Sequence, residues 1–396
     1  MTTAKPLRVG MVGYAFMGAA HSHAWRTAPR FFDLPLQPQL TAVAGRNADG
    51  VRAAADKLGW ESVESDWRRL IERDDIDLID ICTPGNTHAE IAIAALEAGK
   101  HVLCEKPLAN SVEEAERMTL AAETAAKNGV LSMCGFSYRR TPALALARRF
   151  VDQGRLGEIR HVRAQYLQDW LTDANAPMTW RLDKEQSGSG SLGDIGAHSI
   201  DAAQWVTGLN ISGVSALLET FVQERPLAGD LVGLGGHGDL SSDAPRGKVT
   251  VDDAAIFSAR FDGGTSAGAV GVFEATRYAL GRKNAMRLEV NGTKGSLAFD
   301  FEDMNALSFY DAADSPDAGF RKIFVTEPEH PYVGNWWPTG HGLGYEHGFT
   351  HQVVDLVTAI GEARQPEPSF ADALQVQRVL AAVESSAANS SQWQKV

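Results

Sequence analysis

The sequence has little of what marks secreted, membrane-spanning or nucleic-acid-binding proteins. Its 396 residues include three cysteines, too few for a disulfide framework, so Cys82, Cys104 and Cys134 are expected to be buried thiols. No apolar run approaches the roughly 18 residues that a membrane span requires. With 50 acidic and 37 basic side chains, the net charge of −13 argues against a nucleic-acid partner. Because the first residues also lack a signal-peptide pattern, we expect a cytoplasmic protein with no membrane or nucleic-acid partner.

Short apolar runs alternate with helical patterns over the first part of the chain. The apolar runs cover residues 7–12, 40–44, 78–82, 102–104 and 130–135. Helical patterns lie between them at 18–27, 50–58, 67–72, 87–98 and 112–127. This repeated strand–helix order predicts an α/β domain over residues 1–140, with a doubly wound parallel sheet.

The pattern changes after about residue 140. Two helical segments, 142–153 and 197–207, are followed by alternating segments at 160–168, 214–222, 254–261, 267–275, 287–290 and 296–301. Strands joined by turns predict an α+β domain over residues 141–396, with a large, mostly antiparallel, open sheet. Long loops are expected at 224–249 and 311–348, and closing helices at 349–362 and 371–386.

A glycine-containing turn follows the first predicted strand and opens the first helix. It runs from Gly13 to Gly18, with Ala15, Phe16 and Met17 between them. Such a turn permits close backbone packing, and the free N–H groups of the helix can bind a pyrophosphate. Ala15 departs from the usual G-x-G-x-x-G pattern. The turn therefore predicts dinucleotide binding, and a structural corner without a ligand is the alternative.

The end of the second predicted strand bears on which cofactor is bound. A carboxylate at this place usually holds the ribose 2′-hydroxyl of NAD, whereas here Gly45, Arg46 and Asn47 follow the strand. Arg46 could pair with a 2′-phosphate or lie over the adenine. The strand end therefore slightly favours NADP over NAD as the cofactor. The alternative is that Arg46 is a solvated surface residue that binds no cofactor.

Two other strand ends carry polar side chains into the expected ligand crevice. One has Thr83, Pro84, Asn86 and His88, and the other has Glu105-Lys106-Pro107. The carboxyl ends of parallel strands meet where such sheets bind ligands. A lysine there can stabilise a developing oxyanion, and a local ion pair with the preceding glutamate is the alternative.

Asp194 and His198 stand four residues apart before a helical segment. On one helix face, the aspartate can fix the imidazole and raise its basicity, which suits general acid–base catalysis. A capping aspartate and a buried core histidine are the alternative. No third cysteine or histidine lies nearby at ligand spacing, so we expect no metal.

Several aromatic residues have hydrogen-bonding groups as neighbours. The stretches are Tyr138-Arg139-Arg140, Gln168-Asp169-Trp170 and Trp180-Arg181. Sugars have apolar faces and a rim of hydroxyls, so this mixture suits a carbohydrate site. Each residue alone is more often ordinary packing.

Together these stretches resemble the glucose–fructose oxidoreductase, inositol dehydrogenase and MocA (Gfo/Idh/MocA) family over almost the whole chain. The most specific parts are Thr83-Pro84 with His88, Glu105-Lys106-Pro107, and Asp194 with His198. Segments 138–143, 166–170, 180–181 and 342–345 are most similar to the levoglucosan dehydrogenase branch of that family.

The resemblance implies a Rossmann domain that binds NAD or NADP and a C-terminal domain that binds a carbohydrate. It also implies a homodimer or homotetramer that pairs through the C-terminal sheet. The implied catalytic residues are Lys106, Asp194 and His198. The implied cofactor-binding residues are Gly13, Ala15, Phe16, Met17, Gly18, Arg46, Thr83, Pro84, Asn86, His88, Glu105 and Lys106. The implied substrate-binding residues are Tyr138, Gln168, Trp170, Trp180, Arg181, Asp194, His198 and Tyr345.

The expected activity is oxidation of a secondary hydroxyl, at C3, of a pyranose, anhydrosugar or glycoside. His198 is expected to take the hydroxyl proton, Lys106 to stabilise the alkoxide-like oxygen and Asp194 to orient His198. Two alternatives use the same site: an NAD-dependent glycosidase that acts through a transient 3-keto sugar, and an inositol dehydrogenase. A non-catalytic cofactor-binding regulator is the third.

Overall fold

The computed structural model describes residues 5–227, 245–264 and 268–396, which divide into two compact units. The first unit consists of Met1–Ser137 and Gly344–Leu374. The second consists of Tyr138–Leu343 and Gln375–Val396. Within the described ranges, no helix combines the length and the apolar character needed to cross a bilayer.

The first unit is built on a six-stranded parallel sheet with helices between its strands. The strands are β1 (Lys5–Val12), β2 (Leu36–Ala44), β3 (Ser62–Glu64), β4 (Leu78–Ile81), β5 (His101–Cys104) and β6 (Ser132–Cys134). The helices are α1 (Phe16–Phe31), α2 (Ala48–Leu58), α3 (Trp67–Glu72), α4 (His88–Glu97) and α5 (Val112–Ala126). The doubly wound α/β prediction is confirmed. Only β3 was not predicted, because its three half-buried residues carry no distinct pattern.

The strand order β3-β2-β1-β4-β5-β6 determines where this sheet can bind a ligand. Successive connections run outward from β1 in one direction and from β4 in the other. In open α/β sheets, ligands bind in the crevice at the carboxyl ends of the strands, at the point where the order reverses. The turns after β1 and β4 therefore border the crevice.

The second unit contains a nine-stranded sheet and a separate two-stranded ribbon. Its strands are β7 (Ile159–Leu167), β8 (Asn210–Glu219), β9 (Glu224–Pro226), β10 (Arg246–Lys248), β11 (Ala254–Asp262), β12 (Val270–Thr276), β13 (Ala285–Gly292), β14 (Gly295–Asp300), β15 (Ala306–Asp311), β16 (Arg321–Phe324) and β17 (Gln394–Lys395). Its helices are α6 (Pro142–Asp152), α7 (Lys184–Ser187) and α8 (Ala197–Thr207), and the chain ends with α9 (Tyr345–Gly361) and α10 (Phe370–Ala388).

The large sheet has the order β16-β15-β14-β13-β7-β12-β11-β8-β17. Its strand pairs are antiparallel except for β7 and β12, so the mostly antiparallel prediction is confirmed. Strands β9 and β10 form the ribbon inside the segment predicted as a loop at 224–249. Residues 228–244 of that segment lie outside the described ranges. Position 267, where a strand was predicted to begin, also lies outside the described ranges. The strand itself, β12, begins at Val270.

One face of the nine-stranded sheet is covered and the other is open. Along β11, Phe257 and Phe261 are buried, whereas Ile256, whose side chain points to the opposite face, is half exposed. Helix α8 packs against β7 and β13 on the covered face. The open face presents apolar side chains from β8 and β12 beside Ile256, namely Leu217, Val270 and Val272.

The division into units differs from the single break expected near residue 140, because residues 344–374 belong to the first unit. Helix α9 packs along α1. Its Phe349, Val353 and Leu356 are buried in one cluster with Trp25 and Leu40 of the first unit. The segment expected to be a loop at 311–348 also contains β16 and the first turn of α9.

Candidate active site

The glycine turn of the first unit has the geometry of a dinucleotide cradle. Gly13 has a φ of 97°, and a β-carbon there would lie 2.8 Å from the Cys82 carbonyl oxygen. A β-carbon on Gly18 would overlap the carbonyl oxygen of Gly13. Ala15 caps α1 without a side-chain hydrogen bond, and the first turn contains no carboxylate. The free N–H groups of this helix end therefore suit a pyrophosphate, so the residues present fit a dinucleotide.

Tyr14, a residue of the same turn that the sequence did not single out, lies over the end of β2. A β-carbon on Gly45 would overlap its ring, and one on Gly50 would be 2.7 Å from its hydroxyl. The Asn47 side chain accepts the Gly50 N–H at 2.8 Å and caps α2. Arg46, the remaining cofactor-binding candidate at this strand end, is exposed.

The loop after β4 is tied to the loop after β5 through His88. The His88 ring is buried, with Nδ1 3.0 Å from the Pro107 carbonyl oxygen and Nε2 2.8 Å from that of Thr83. Burial lowers the pKa of His88. The His88 ring thus lies between the backbone of the two loops, while Pro84 is half-buried and Asn86 is exposed.

Lys106 is half-buried at the carboxyl end of β5, next to a buried group of charged side chains. The preceding Glu105 contacts His21, which also contacts Asp80. His21, Asp80 and Cys82 offer ligand atoms within 4.8 Å of one another, close enough to share a metal ion. The Asp80 carboxylate, however, already accepts hydrogen bonds from Trp25 and His21. We interpret the group as a hydrogen-bonded charge network.

Phe16 and Tyr345 face each other within the first unit. Their ring centroids are 6.4 Å apart with an interplanar angle of 16°, and Tyr345 also contacts Phe349 edge-on. Tyr345 was expected among the substrate-binding residues. The structure places it at the start of α9, beside the glycine turn of the first unit.

Asp194 and His198 lie on one continuous helical segment of the second unit. Asp194 is in a π-helical turn, Leu192–Gly196, and His198 is in α8, which follows directly. The Asp252 carboxylate accepts the N–H groups of Gly190 and Leu192 at 2.7 and 2.8 Å, which fixes the start of the turn. π-Turns inside helices are frequent at functional sites.

A fully buried arginine, Arg277, pairs with Asp194. Its Nη1 is 3.2 Å from Asp194 Oδ2, and its guanidinium carbon lies 5.5 Å from the centroid of the Trp170 ring. Arg181 stacks on Trp180 at 4.4 Å. Burial lowers the pKa of Arg181, Asp194 opposes that effect, and Arg277 adds to it. These side chains are thus close enough to interact electrostatically.

A chain of hydrogen bonds connects Trp170 to Tyr138. The Trp170 indole N–H donates to Gln168 Oε1 at 3.0 Å, and Gln168 Nε2 donates to Asn284 Oδ1 at 2.8 Å. Tyr166 donates to the same Asn284 oxygen at 2.6 Å, and its hydroxyl is 2.5 Å from that of Tyr138. Five polar side chains from separate parts of the second unit therefore form one network.

The network ends against His198. The Tyr138 ring contacts the His198 ring edge-on, with centroids 4.6 Å apart, and Tyr166 lies 6.0 Å away. Burial raises the pKa of Tyr138 to about 12, so its phenol stays protonated at neutral pH. The network and the Asp194–Arg277 pair thus bring most substrate candidates together with His198.

Sequence reasoning missed three residues of this arrangement: Arg277, Asn284 and Asp252. Arg277 directly follows β12, and Asn284 directly precedes β13. Both stand at strand ends, which is a usable signal for site residues. The sequence does not show that these ends lie beside α8, because that depends on how the strands pair.

Both halves of the chain match models of one protein family. Residues 7–136 match the oxidoreductase family model with an NAD-binding Rossmann fold. Residues 144–298 match the GFO/IDH/MocA C-terminal domain.

Characterised relatives include sugar dehydrogenases. Levoglucosan dehydrogenase of Pseudarthrobacter phenanthrenivorans is 43% identical over 393 residues, covering 97% of each chain. D-glucoside 3-dehydrogenase of Escherichia coli is 35% identical over 206 residues, which is 52% of this chain and 55% of that protein.

Solved structures show the same architecture. An oxidoreductase domain protein from Kribbella flavida is 64% identical with a TM-score of 0.93, covering 99% of each chain. Levoglucosan dehydrogenase in complex with NADH and levoglucosan is 42% identical with a TM-score of 0.90, again over 99% of each chain. Because both family models match in order and the similarity extends over nearly the full length, this chain belongs to the Gfo/Idh/MocA family of NAD-binding oxidoreductases.

Proposed function

We propose that this protein oxidises the C3 hydroxyl of a pyranose, anhydrosugar or glycoside, with NAD or NADP as hydride acceptor. The observation that carries the proposal is the hydrogen-bonded network from Trp170 to Tyr138, which ends at His198. The names of the relatives, a levoglucosan dehydrogenase and a D-glucoside 3-dehydrogenase, support the substrate class and the position of the hydroxyl.

The side chains of the network suit a neutral polyol. Amide, phenol and indole groups can exchange hydrogen bonds with sugar hydroxyls, and the aromatic faces of Trp170 and Trp180 can cover the apolar face of a ring. Arg181 and Arg277 add cationic donors next to Asp194. In the proposed complex, Gln168, Trp170 and Arg181 bind the hydroxyls that flank the reacting carbon.

The proposed chemistry assigns one role to each catalytic residue. His198 accepts the proton of the reacting hydroxyl, and Asp194, which pairs with Arg277, orients His198. Lys106 donates a charge-assisted hydrogen bond to the oxygen as negative charge develops on it. The bound cofactor supplies the hydride-accepting nicotinamide.

We also propose the residues that hold the cofactor. The N–H groups around Ala15 and Phe16 face the pyrophosphate, as the turn formed by Gly13 and Gly18 permits. Met17, Thr83, Pro84 and Asn86 border the nicotinamide side, while Arg46 lies near the adenosine. The NADH bound to levoglucosan dehydrogenase supports NAD as the cofactor. Because Arg46 could pair with a 2′-phosphate, NADP is the second hydride acceptor to be tested.

We further propose a homodimer or homotetramer that pairs through the open face of the nine-stranded sheet. This face combines exposed Ile256 and Val272 with ion pairs such as Arg163–Glu289. Exposed apolar patches with a polar rim mark association sites. We also propose that the protein is cytoplasmic, because all three cysteines are free thiols.

The first prediction concerns the reaction itself. The purified protein should reduce NAD or NADP when given levoglucosan, glucosides or pyranoses, and both cofactors should be compared under the same conditions. The measurement is absorbance of the reduced nicotinamide, combined with chromatography of the products. Glycoside cleavage without net cofactor reduction would assign the redox-neutral glycosidase instead. A preference for inositols would assign an inositol dehydrogenase, and inactivity on the whole panel with cofactor bound would assign a regulator.

The second prediction concerns the proton acceptor and the lysine. His198→Ala and Lys106→Ala should each lower kcat by about 100-fold or more, because each removes a group that acts on the reacting hydroxyl. Cofactor affinity of the His198 variant, measured by fluorescence titration, should stay unchanged. His341→Asn, which alters an exposed loop histidine, serves as the control. Turnover near that of the unmodified protein in either variant would remove the role assigned to that residue.

The third prediction tests the hydrogen-bonded network. Gln168→Ala should raise the sugar KM by about tenfold, because it removes an amide that bridges Trp170 and Asn284. Gln165→Ala removes an amide from the opposite face of β7 and should leave the sugar KM unchanged. Steady-state kinetics with saturating cofactor gives both values. Equal effects of the two substitutions would contradict a substrate role for Gln168.

The fourth prediction concerns association. Ile256→Glu places a charge on the open sheet face and should reduce the molar mass measured by light scattering after size-exclusion chromatography. Leu120→Glu changes an apolar residue of α5 that is more exposed than Ile256 and should leave the molar mass unchanged. If the Ile256 variant keeps the molar mass of the unmodified protein, the open face is not the interface.

A further inference from the structure

His21 contacts two buried carboxylates at once, one with each ring nitrogen. Its Nδ1 is 2.9 Å from Asp80 Oδ1, and its Nε2 is 3.0 Å from Glu105 Oε1. His21 comes from α1, Asp80 from β4, and Glu105 directly follows β5. All three side chains are almost fully buried, with exposures of 1%, 0% and 4%. The contacts therefore join three elements inside the first unit.

The geometry requires a proton on both ring nitrogens of His21. A carboxylate oxygen only accepts hydrogen bonds, and a neutral imidazole carries one N–H. Burial lowers the pKa of His21, interactions with Asp80 and Cys82 raise it, and the pKa lies well above its ordinary value. Trp25 donates its indole N–H to Asp80 Oδ2 at 2.7 Å, and the Cys82 thiol lies 3.6 Å from Asp80 Oδ1. His21 is thus the cation of a cluster that holds two carboxylates.

Glu105 connects this cluster to the turn that carries Lys106. While Oε1 contacts His21, Oε2 accepts the backbone N–H of Lys106 at 3.3 Å. A β-carbon on Gly135 would lie 2.6 Å from Glu105 Oε1, so the backbone of this glycine also confines the carboxylate. The position of the Lys106 backbone therefore depends on a carboxylate that His21 holds in place.

We propose that His21 is a positioning residue for Lys106, acting through Glu105. This inference rests on the proposed function, in which Lys106 stabilises the reacting oxygen. Without the imidazolium, two buried carboxylates lack their shared cation, and Glu105 is free to turn toward another cation. The Lys106 ammonium is such a cation. If it pairs with Glu105, it can no longer donate a hydrogen bond to the substrate oxygen. Small displacements of a catalytic group can cost about 100-fold in rate.

The test is a kinetic double-mutant cycle on the full-length protein with saturating cofactor and sugar. His21→Gln should lower kcat by about 10- to 100-fold, while the KM values for cofactor and sugar change little. Glu105→Gln should also lower kcat, and the double variant should be no slower than Glu105→Gln alone. Non-additivity is expected because both substitutions break the same connection to Lys106. A general loss of folded protein would instead multiply the two effects.

Two further variants complete the experiment. His23→Gln changes an exposed histidine on the same helix and should leave kcat unchanged. If His21→Gln does not fold, as judged by circular dichroism, Glu105→Asp keeps the charge but shortens its reach to His21, and it should lower kcat in the same way. Multiplicative losses in the cycle, or an unchanged kcat of Glu105→Asp, would overturn the inference. If Lys106→Ala keeps full turnover, the proposed function fails instead, whatever the cycle gives.

Discussion

Parallel strands end together at one edge of a sheet, and the cofactor half of this protein depends on that constraint. The turns after β1, β2, β4 and β5 come from distant parts of the sequence, yet they meet because their strands share one direction and register. The glycine turn, Arg46, the Thr83 loop and Lys106 are therefore placed by the sheet itself. Hydrogen bonds through His88 and Glu105 then adjust how these turns lie next to one another.

The same constraint explains which parts could be predicted from sequence. Strand–helix alternation shows where each parallel strand ends, so the cofactor candidates could be assigned before any coordinates were known. Asp194 and His198 could be placed on one helical segment because helical spacing is local. Arg277 and Asn284 could not be connected to them, since antiparallel strands join residues far apart in sequence. Helix α9 shows the remaining difficulty: its pattern reveals an apolar face but does not identify the elements that cover it.

Each half of the protein contains a carboxylate that pairs with a buried cation. Asp80 has His21 in the first unit, and Asp194 has Arg277 in the second. Burying a charge is costly unless it is paired and hydrogen-bonded, so these pairs explain how charged chemistry is maintained inside a protein with a net charge of −13. The overall charge describes the surface, whereas local pairing determines the charges at the site.

The return of residues 344–374 to the first unit makes that unit discontinuous in the gene. A fragment that stops near residue 140 lacks Phe349 and Leu356, so the surface of α1 around Trp25 would be left uncovered. The second unit, in contrast, is mostly one insertion between two parts of the first. Recombination can therefore exchange most of the second unit as one internal segment, residues 138–343, while the first unit keeps its complete core.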